Sequence, residues 1–436
     1  MNKRKSFYQL SQKVAPKVYL CSNLRNETHI LLSEDVFKLY DADNLEQIRQ
    51  KYPQVYERLE KGKFLVSEDT DEFAEIQALR KRDFEDTNMY QLIINPTLDC
   101  NLSCWYCYEN KIPKSVMSEE TIEAVSKNIE SHYKEQPFST LKLSFFGGEP
   151  FLRFFVIKKI VAKADDFCKA NNINFILDFT TNGTLCTQTA INFLKGYRCF
   201  FQITLDGNRE QHNKIKHPKS STFDAFSATV KNIRNILDHI KLSYVAVRIN
   251  FDQDTLKDFD SILEELQPLD RKRTKIILKK VWQVDVDNIS QALVLSTMEK
   301  LFKANFVVDY YGQGGVCLCD RKNEAVINYD GNVFKCTTIP KFDNEHALGH
   351  LEDGNIVWNK EKIAYLDNYK VQKKCKGCKM LPTCGGPCQK KMEESDDIPC
   401  FLENINFNMA EFVLLQFNIN KRESIWKIIF VSVFHC

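Results

Sequence analysis

Residues 100–107 read CNLSCWYC and place three cysteines in one short loop. The loop follows residues 91–94, an apolar run that is predicted to be a β-strand. Three thiolates this close together can bind three irons of a [4Fe–4S] cluster and leave the fourth iron open to another ligand. A zinc site would need a distant fourth ligand, and a disulfide would leave an odd thiol. The loop therefore predicts an iron–sulfur site at Cys100, Cys104 and Cys107.

Strand and helix patterns alternate after this loop as far as about residue 310. The candidate strands are 91–94, 141–146, 175–180, 200–205, 244–250 and 276–284. The candidate helices are 119–133, 156–170, 189–194, 223–239, 256–266 and 292–304. Six strands alternating with six helices predict a parallel α/β domain, either an open sheet or a partial barrel. In both architectures the chemistry belongs at the C-terminal ends of the strands.

A second group of cysteines lies between residues 316 and 400. It consists of Cys317, Cys319, Cys336, Cys375, Cys378, Cys384 and Cys388, with Cys400 shortly after. Little helical periodicity is present here, which predicts a small domain held together by metal. Seven or eight thiolates suffice for two [4Fe–4S] clusters. A pair of zinc sites is the alternative, because CxxC pairs are also typical of zinc.

Residues 1–85 form a separate N-terminal segment. Short apolar runs at 18–21 and 29–32 precede helical patterning over 34–61, and 64–66 follows as a short strand. This order of strands and helices predicts a small winged-helix-like module. A plain packing extension of the main domain is the alternative.

The amino-acid composition limits which partners and which cellular compartment can be expected. The 436 residues include 60 basic and 58 acidic side chains, so the near-balance gives no argument for nucleic acid or a membrane as partner. No apolar run approaches the roughly 18 residues of a membrane helix, and the N-terminus is a poor signal peptide. We therefore expect a cytoplasmic protein. Because that compartment disfavours disulfides, the 16 cysteines point to metal.

The three-cysteine motif resembles the defining motif of the radical S-adenosylmethionine (SAM) superfamily. Tyr106 matches the aromatic residue that packs on the SAM adenine, and Gly147-Gly148-Glu149-Pro150 resembles the motif that holds the methionine amino group. Asn182, Thr204 and Arg248 lie in segments similar to those that approach the rest of SAM, although each could instead have a structural role. Related enzymes often have His-Asp-x-x-Arg where this chain has residues 212–216, HNKIK, so the function of that segment stays open.

The second cysteine group is similar to the SPASM domain that follows many radical SAM domains. The resemblance implies two auxiliary clusters with interleaved ligands. The first would use Cys319, Cys336 and Cys388, with Cys317 as a candidate fourth ligand. The second would use Cys375, Cys378, Cys384 and Cys400.

Together these resemblances imply a fold and an activity. The expected fold is a partial (β/α)6 barrel over 86–312, between the N-terminal module 1–85 and a SPASM domain 313–404, with a C-terminal helix and tail over 405–436. The expected cofactors are SAM and three [4Fe–4S] clusters. The expected activity is hydrogen abstraction from a ribosomally made peptide, which installs a thioether or carbon–carbon crosslink. The N-terminal module would capture the peptide leader, and flavodoxin or ferredoxin would supply electrons.

Two other functions stay open. An anaerobic sulfatase maturase, which forms formylglycine, is similar across the core and SPASM regions. Those enzymes carry an aspartate base immediately after the cysteine that matches Cys336, whereas this chain has Thr337 there. A non-catalytic iron–sulfur carrier or peptide-binding subunit is the other alternative, although degenerate relatives usually lose the three-cysteine motif that this chain keeps. The sequence assigns no catalytic acid or base.

Overall fold

The computed structural model describes residues 2–218, 222–310 and 316–395, together with residues 398, 400, 408, 411, 415 and 417. The chain forms two compact units. The smaller unit contains the described parts of Met1–Phe84, Gly312–Cys317 and Tyr369–His435, and the larger contains the described parts of Glu85–Tyr311 and Leu318–Asn368. Apart from four isolated residues, the tail expected over 405–436 lies outside the described part of the chain.

The strands are numbered here in chain order. They are β1 (Lys3–Lys5), β2 (Gln9–Ala15), β3 (Val18–Asn23), β4 (Thr28–Ser33), β5 (Leu65–Ser67), β6 (Met89–Ile94), β7 (Thr140–Phe145), β8 (Asn174–Thr181), β9 (Arg198–Thr204), β10 (Ser243–Phe251), β11 (Thr274–Lys280), β12 (Val307–Asp309), β13 (Glu324–Ile327), β14 (Asn332–Phe334), β15 (Gly349–Glu352) and β16 (Asn355–Trp358).

The α-helices follow the same order. They are α1 (Glu34–Asp41), α2 (Leu45–Lys51), α3 (Pro53–Lys61), α4 (Glu72–Phe84), α5 (Glu119–Glu135), α6 (Phe154–Asn171), α7 (Gln188–Leu194), α8 (Arg209–Lys216), α9 (Ala225–His239), α10 (Gln253–Lys257), α11 (Phe259–Leu266), α12 (Gln291–Lys303), α13 (Lys360–Ile363), α14 (Lys373–Lys376), α15 (Leu381–Cys384) and α16 (Gln389–Glu394). Short 3₁₀ helices cover Pro150–Arg153, Val286–Asn288, Leu318–Asp320 and Ala364–Asp367.

One mixed sheet runs through the larger unit in the order β12-β11-β10-β9-β8-β7-β6-β13-β14-β15-β16. The strands from β6 to β12 are parallel to their neighbours, and β13 adds to the edge of β6 in the same direction. Strands β14 to β16 continue the sheet as antiparallel hairpins. The six predicted strands correspond to β6 through β11, so the predicted α/β class is confirmed.

The helices of the larger unit follow from caps and apolar spacing. Ser118 accepts a hydrogen bond from the Thr121 amide at the start of α5, which satisfies one free backbone donor. Helix α5 buries Ile122, Val125 and Ile129, a spacing of three or four residues that keeps them on one face. The single helix predicted over 256–266 is instead two helices, because Asp252 caps α10 and Asp258 departs from helical geometry before α11.

The two faces of the parallel strands carry different side chains. Leu141, Leu143 and Phe145 of β7 are buried apolar residues, whereas Lys142 and Ser144 alternate with them on the opposite face. Each buried leucine or phenylalanine contributes roughly 1.5–3 kcal/mol to folding. Polar side chains near the ends of the strands, such as Thr180 of β8, line the cavity described below.

The smaller unit begins with two small antiparallel sheets, β2-β3-β4 and β1-β5. Helices α1 to α3 lie between β4 and β5, in the order that the sequence predicts. Their apolar cluster includes Leu32, Val36, Tyr40, Ile48 and Leu59. Whether this arrangement is a winged-helix-like module remains a prediction. Among the residues that the structure describes, no helix is both long and apolar enough to cross a membrane.

Candidate active site

A cavity that opens to solvent lies in the larger unit beside the C-terminal ends of the parallel strands, with about 980 Å³ of empty space when the open solvent at its mouth is included. Cys100, Cys104 and Cys107 all contribute to its wall. Six of the seven residues predicted to contact SAM also line it: Tyr106, Gly147, Gly148, Asn182, Thr204 and Arg248. The structure therefore brings residues from five separate segments to one cavity, and their contact with SAM remains a prediction.

The three cysteines are arranged by local hydrogen bonds of their own loop. The Cys107 amide donates to the Cys104 carbonyl at 3.2 Å, which closes a turn between the two thiols. Burial, with a smaller contribution from the nearby Glu149, raises the pKa of the Cys100 thiol to about 12. Burial also raises the pKa of Cys107. A metal that binds here must therefore displace protons, which couples its affinity to pH. Three thiols on the wall of an open cavity fit a [4Fe–4S] cluster with one free iron.

The glycine pair after β7 is required by backbone contact with the residues just before Cys100. Gly147 has a φ of +99°, and a Cβ there would lie 2.3 Å from the Thr97 carbonyl oxygen. A Cβ at Gly148 would lie 2.2 Å from the Asp99 carbonyl oxygen. The Glu149 amide donates to the same Asp99 oxygen at 2.8 Å. The glycines therefore bring the end of β7 against the cysteine loop.

Glu149 holds neighbouring protein groups in this structure. Its side chain is 0% exposed, and its carboxylate accepts hydrogen bonds from the Thr181 hydroxyl and from the Asn182 and Phe151 amides at 2.8–3.0 Å. Burial raises the pKa of Glu149 to about 7, although these hydrogen bonds oppose the rise. Contact between Glu149 and the methionine amino group of SAM remains a prediction. The observed bonds show that Glu149 positions the turn after β8.

That turn presents Asn182 to the cavity. Asn182 Nδ2 donates to Asn101 Oδ1 at 3.0 Å, and Asn182 Oδ1 accepts from the Thr184 amide at 2.9 Å. Asn101 lies between Cys100 and Cys104, so the β8 turn and the cysteine loop are directly bonded. This bonding also shows that Asn182 has a structural role, whether or not it contacts SAM.

Tyr106 is held by a buried polar cluster. Its hydroxyl bonds to Asp206 and accepts hydrogen bonds from Lys216 at 2.8 Å and from Asn250 at 3.2 Å. Lys216 Nζ and Asp206 Oδ2 form an ion pair at 2.7 Å. Burial would raise the pKa of Asp206, but Lys216 and His212 together hold it below its ordinary value. The sequence pattern assigns residues 212–216 no function, and the structure places Lys216 in the cavity wall.

Arg248 and Asn250 connect β10 to this cluster. Arg248 Nε donates to Asn250 Oδ1 at 2.8 Å, and the Asn250 amide donates to Asp206 Oδ1 at 2.9 Å. Thr204, at the end of β9, accepts a hydrogen bond from Lys216 at 2.8 Å. The polar ends of neighbouring strands therefore form one continuous network beside the cysteine loop.

An aromatic rim, which no pattern in the sequence indicates, stands at the cavity. Tyr108 and Trp282 stack with ring centroids 5.3 Å apart, and Trp282 is 58% exposed. Glu109 also lines the cavity, and within the described structure neither of its buried carboxyl oxygens has a hydrogen-bond partner. Burial raises the pKa of Glu109 to about 8. Exposed aromatic rings beside an unpartnered carboxyl group can contact a bound molecule through apolar surface and a hydrogen bond.

The predicted ligands of the second auxiliary cluster, Cys375, Cys378, Cys384 and Cys400, all belong to the smaller unit. The pKa of Cys375 is raised by burial, then by Cys378 and Cys400. The pKa of Cys384 is raised by burial, with contributions from Cys400 and Cys375. Two backbone hydrogen bonds shape the segment, from Cys378 to the Cys375 carbonyl at 3.2 Å and from Cys384 to the Met380 carbonyl at 2.8 Å. Four thiols can fully ligate one [4Fe–4S] cluster, and ligation by these four remains a prediction.

The predicted ligands of the first auxiliary cluster belong to different units. Cys319 and Cys336 are part of the larger unit, whereas Cys317 and Cys388 are part of the smaller one. Cys319 is buried, and its Sγ lies 3.4 Å from Asp320 Oδ1. The Thr338 amide lies 3.3 Å from Cys336 Sγ. Their shared ligation of a cluster remains a prediction.

Comparisons with known proteins give two family matches. Residues 94–266 match the radical SAM superfamily, and residues 317–379 match SPASM, an iron–sulfur cluster-binding domain. An uncharacterized protein of Methanocaldococcus jannaschii is 34% identical over 296 residues, which cover 62% of this chain and 91% of that protein. A serine-type anaerobic sulfatase-maturating enzyme of Bacteroides thetaiotaomicron is 23% identical over 343 residues, covering 67% of this chain and 80% of that enzyme.

A solved structure shares the fold. It is that of native anSMEcpe with bound AdoMet, and its TM-score is 0.54 at 17% sequence identity. The match covers 78% of this chain and 99% of that one. At this level of identity the likeness concerns the fold alone.

Proposed function

This chain is an enzyme of the radical SAM superfamily, and we propose that it modifies a ribosomally made peptide by installing a thioether or carbon–carbon crosslink. The observation that carries the proposal is the cavity itself. It combines three cysteine thiols, the glycine pair and Tyr106 with the exposed aromatic rim of Trp282. The cysteines, the glycine pair and Tyr106 would bind the cofactors, and the exposed Trp282 would contact the peptide.

Different residues of the cavity would bind the cluster and the separate parts of SAM. Cys100, Cys104 and Cys107 would hold the cluster, and Tyr106 would support the adenine. When bound, the cluster and SAM would supply radical chemistry that can abstract a hydrogen atom from the substrate. Asn182, Thr204 and Arg248 would orient the rest of SAM through hydrogen bonds and charge. The polar network around Asp206 would keep Thr204 and Arg248 in place before SAM binds.

The wider proposal includes three clusters and several partners. Cys375, Cys378, Cys384 and Cys400 would ligate one auxiliary cluster, and Cys319, Cys336 and Cys388, with Cys317, the other. Residues 1–85 would capture a leader peptide, and a flavodoxin or ferredoxin would supply electrons in the cytoplasm.

Anaerobically reconstituted protein should then hold about twelve irons, and a variant with all three loop cysteines changed to alanine should hold about two thirds of them. Stoichiometric zinc with little iron would contradict the cluster assignment.

A sulfatase-maturase activity is the second candidate, and it is favoured by the relatives named as anaerobic sulfatase-maturating enzymes. Thr337 argues against it, because a threonine hydroxyl cannot replace a carboxylate base. The two candidates predict different substrates. Peptides encoded beside the gene should be modified under the leading proposal, whereas serine- or cysteine-containing sulfatase peptides should be converted under the other.

The test compares radical formation with peptide modification in anaerobic, dithionite-reduced enzyme. Cys104→Ala should abolish 5′-deoxyadenosine formation with or without peptide, because it removes a cluster ligand. Cys378→Ala should still form 5′-deoxyadenosine but make no modified peptide. Chromatography and mass spectrometry follow both products. Wild-type 5′-deoxyadenosine formation by the Cys104→Ala enzyme would overturn the proposal, and modification of the sulfatase peptides alone would favour the second candidate.

A further inference from the structure

Lys216 contacts the cysteine loop on both sides of Cys104. Its carbonyl oxygen accepts a hydrogen bond from the Ser103 amide at 2.9 Å, and its Nζ donates to the Tyr106 hydroxyl at 2.8 Å. Two residues further on, Pro218 pairs with Leu102 in an isolated antiparallel bridge. The end of helix α8 therefore fixes this loop through backbone and side chain together.

The ammonium group of Lys216 has a complete set of acceptors. Its Nζ lies 2.8 Å from Tyr106 Oη, 2.8 Å from Thr204 Oγ1 and 2.7 Å from Asp206 Oδ2. A lysine ammonium carries three donors, so each has a partner. Lys216 is 1% exposed, and this arrangement leaves its head group little freedom to move.

The same contacts determine where the Tyr106 ring lies. The hydroxyl is bonded by Lys216 of α8, Asn250 of β10 and Asp206 of the turn after β9. Three separate elements therefore hold one aromatic ring against the cavity wall.

A stabilising role alone does not account for this lysine. Removing two charges from water is costly, and buried ion pairs can often be replaced by apolar residues without loss of stability. A preorganised binding site, by contrast, requires its side chains to be locked by such neighbouring contacts. The position of the ion pair, in the wall of the cavity and bonded to the cysteine loop, fits the second requirement.

We propose that Lys216 is a positioning residue for SAM. It acts through Tyr106 and the cysteine loop, and keeps the aromatic ring in the orientation that receives the adenine before SAM binds. The inference rests on the SAM site of the proposed function, but it does not depend on which peptide is modified. It also gives residues 212–216, which differ from the His-Asp-x-x-Arg pattern of related enzymes, a definite part in the site.

The main experiment measures SAM binding to reconstituted Lys216→Met protein. Anaerobic equilibrium dialysis gives the Kd for SAM, and electron paramagnetic resonance of the reduced cluster reports whether SAM changes its signal. We expect the Kd for SAM to rise at least about tenfold, because the loss of a hydrogen bond to a charged group typically has an effect of this size. We also expect SAM no longer to change the spectrum of the reduced cluster. Lys216→Arg should recover most of the affinity, because it keeps the charge and the donors.

Two matched lysine variants separate this effect from a general one. Lys214→Met makes the same substitution at an exposed position of the same helix. Lys142→Met removes a lysine that is equally buried and paired with an aspartate, but that does not line the cavity. Both should bind SAM within about twofold of wild type. If Lys142→Met weakens SAM binding as much as Lys216→Met, the proposal is overturned, because any buried lysine then has the same effect.

Two further variants cover the case in which Lys216→Met fails to fold or to bind iron. Asp206→Asn/Lys216→Met leaves no unpaired buried charge, so it should fold while still binding SAM weakly. Tyr106→Phe keeps the ring and removes only the hydroxyl that Lys216 holds, and it should also weaken SAM binding. Wild-type SAM affinity in Tyr106→Phe, or in any folded Lys216→Met variant, overturns the proposal, even if the peptide assay succeeds.

Discussion

Two buried lysine–aspartate pairs of the larger unit differ in their ion-pair distances and in how completely their charged groups are hydrogen-bonded. Lys216 and Asp206 lie 2.7 Å apart at the cavity, and Lys142 and Asp178, the mid-strand pair, lie 3.3 Å apart on β7 and β8. Both lysines are 1% exposed. Lys216 has two hydroxyl acceptors besides its aspartate. In the mid-strand pair, by contrast, Asp178 Oδ1 has no hydrogen-bond partner among the described residues.

The difference is visible in the acidity of the two aspartates. Burial would raise the pKa of each, but at Asp206 the charges of Lys216 and His212 and two hydrogen bonds bring it below its ordinary value. At Asp178 burial outweighs Lys142, and the pKa is raised. The surroundings of Asp206 at the strand ends therefore stabilise its ionised form. The surroundings of Asp178 in the mid-strand pair destabilise its ionised form, which lowers the stability of the fold.

Further buried ionisable groups, which lack hydrogen-bond partners within the described part of the chain or have shifted pKa values, lie near the mid-strand pair. Glu324 of β13 lies beside Gln91 in the sheet register, and Gln91 lies beside Lys142. Both carboxyl oxygens of Glu324 lack a hydrogen-bond partner in the described structure, and burial raises its pKa to about 7. Lys335, whose Nζ donates to the Glu324 carbonyl, has its pKa lowered by burial to about 8. Stability should therefore improve when the charge of Glu324 is removed.

The largest expected effect comes from Asp206→Asn. The change leaves the Lys216 ammonium buried without its counter-ion, which should lower the free energy of unfolding by about 3–5 kcal/mol. Urea unfolding followed by circular dichroism measures the loss. Asp178→Asn is the matched control at the mid-strand pair, and it should cost clearly less because Asp178 is already poorly stabilised as an anion. Equal losses in the two variants would remove the contrast between the pairs.

A smaller effect of opposite sign is expected for Glu324→Gln. The pKa of Glu324 in the folded protein is about 7, above its ordinary value of 4.5. The carboxyl group therefore ionises more easily in the unfolded chain, and this difference destabilises the folded protein most once the pH is above 7. Wild-type stability should fall by up to about 3 kcal/mol between pH 4.5 and pH 7 from this group. The glutamine variant should lack that slope and be the more stable protein at pH 8. Unfolding curves at several pH values test this, and an unchanged slope in the variant would contradict it.

The smallest effect is expected at the mid-strand pair itself. Lys142→Met should cost about 1–2 kcal/mol, because Asp178 can take up a proton when its cation is lost. Lys142→Met/Asp178→Asn should recover stability to within about 1 kcal/mol of wild type, as replacing a whole buried pair commonly does. Thermal and urea unfolding of both variants give the comparison. A double variant less stable than the single one would show that this pair is better supported than its geometry indicates.

The sequence by itself determined the parts of this protein that depend on local spacing. Alternating apolar runs predict β6 to β11, because a buried strand needs a short apolar segment whatever its neighbours are. Three cysteines within eight residues must share a loop, so the sequence places Cys100, Cys104 and Cys107 together. It also predicts that the ends of the strands carry the site, because parallel strands place those ends at one edge.

Only the tertiary structure decided which distant side chains meet. Tyr106 and Lys216 are separated by 110 positions, and their contact depends on α8 packing beside a loop that precedes it by three strands. No local pattern shows that Glu149 is enclosed by protein donors, or that Trp282 stacks on Tyr108 at the rim. The acidity of Asp206 and Asp178 differs for the same reason. Burial and neighbouring charge set a pKa, and both arise only when the chain has folded.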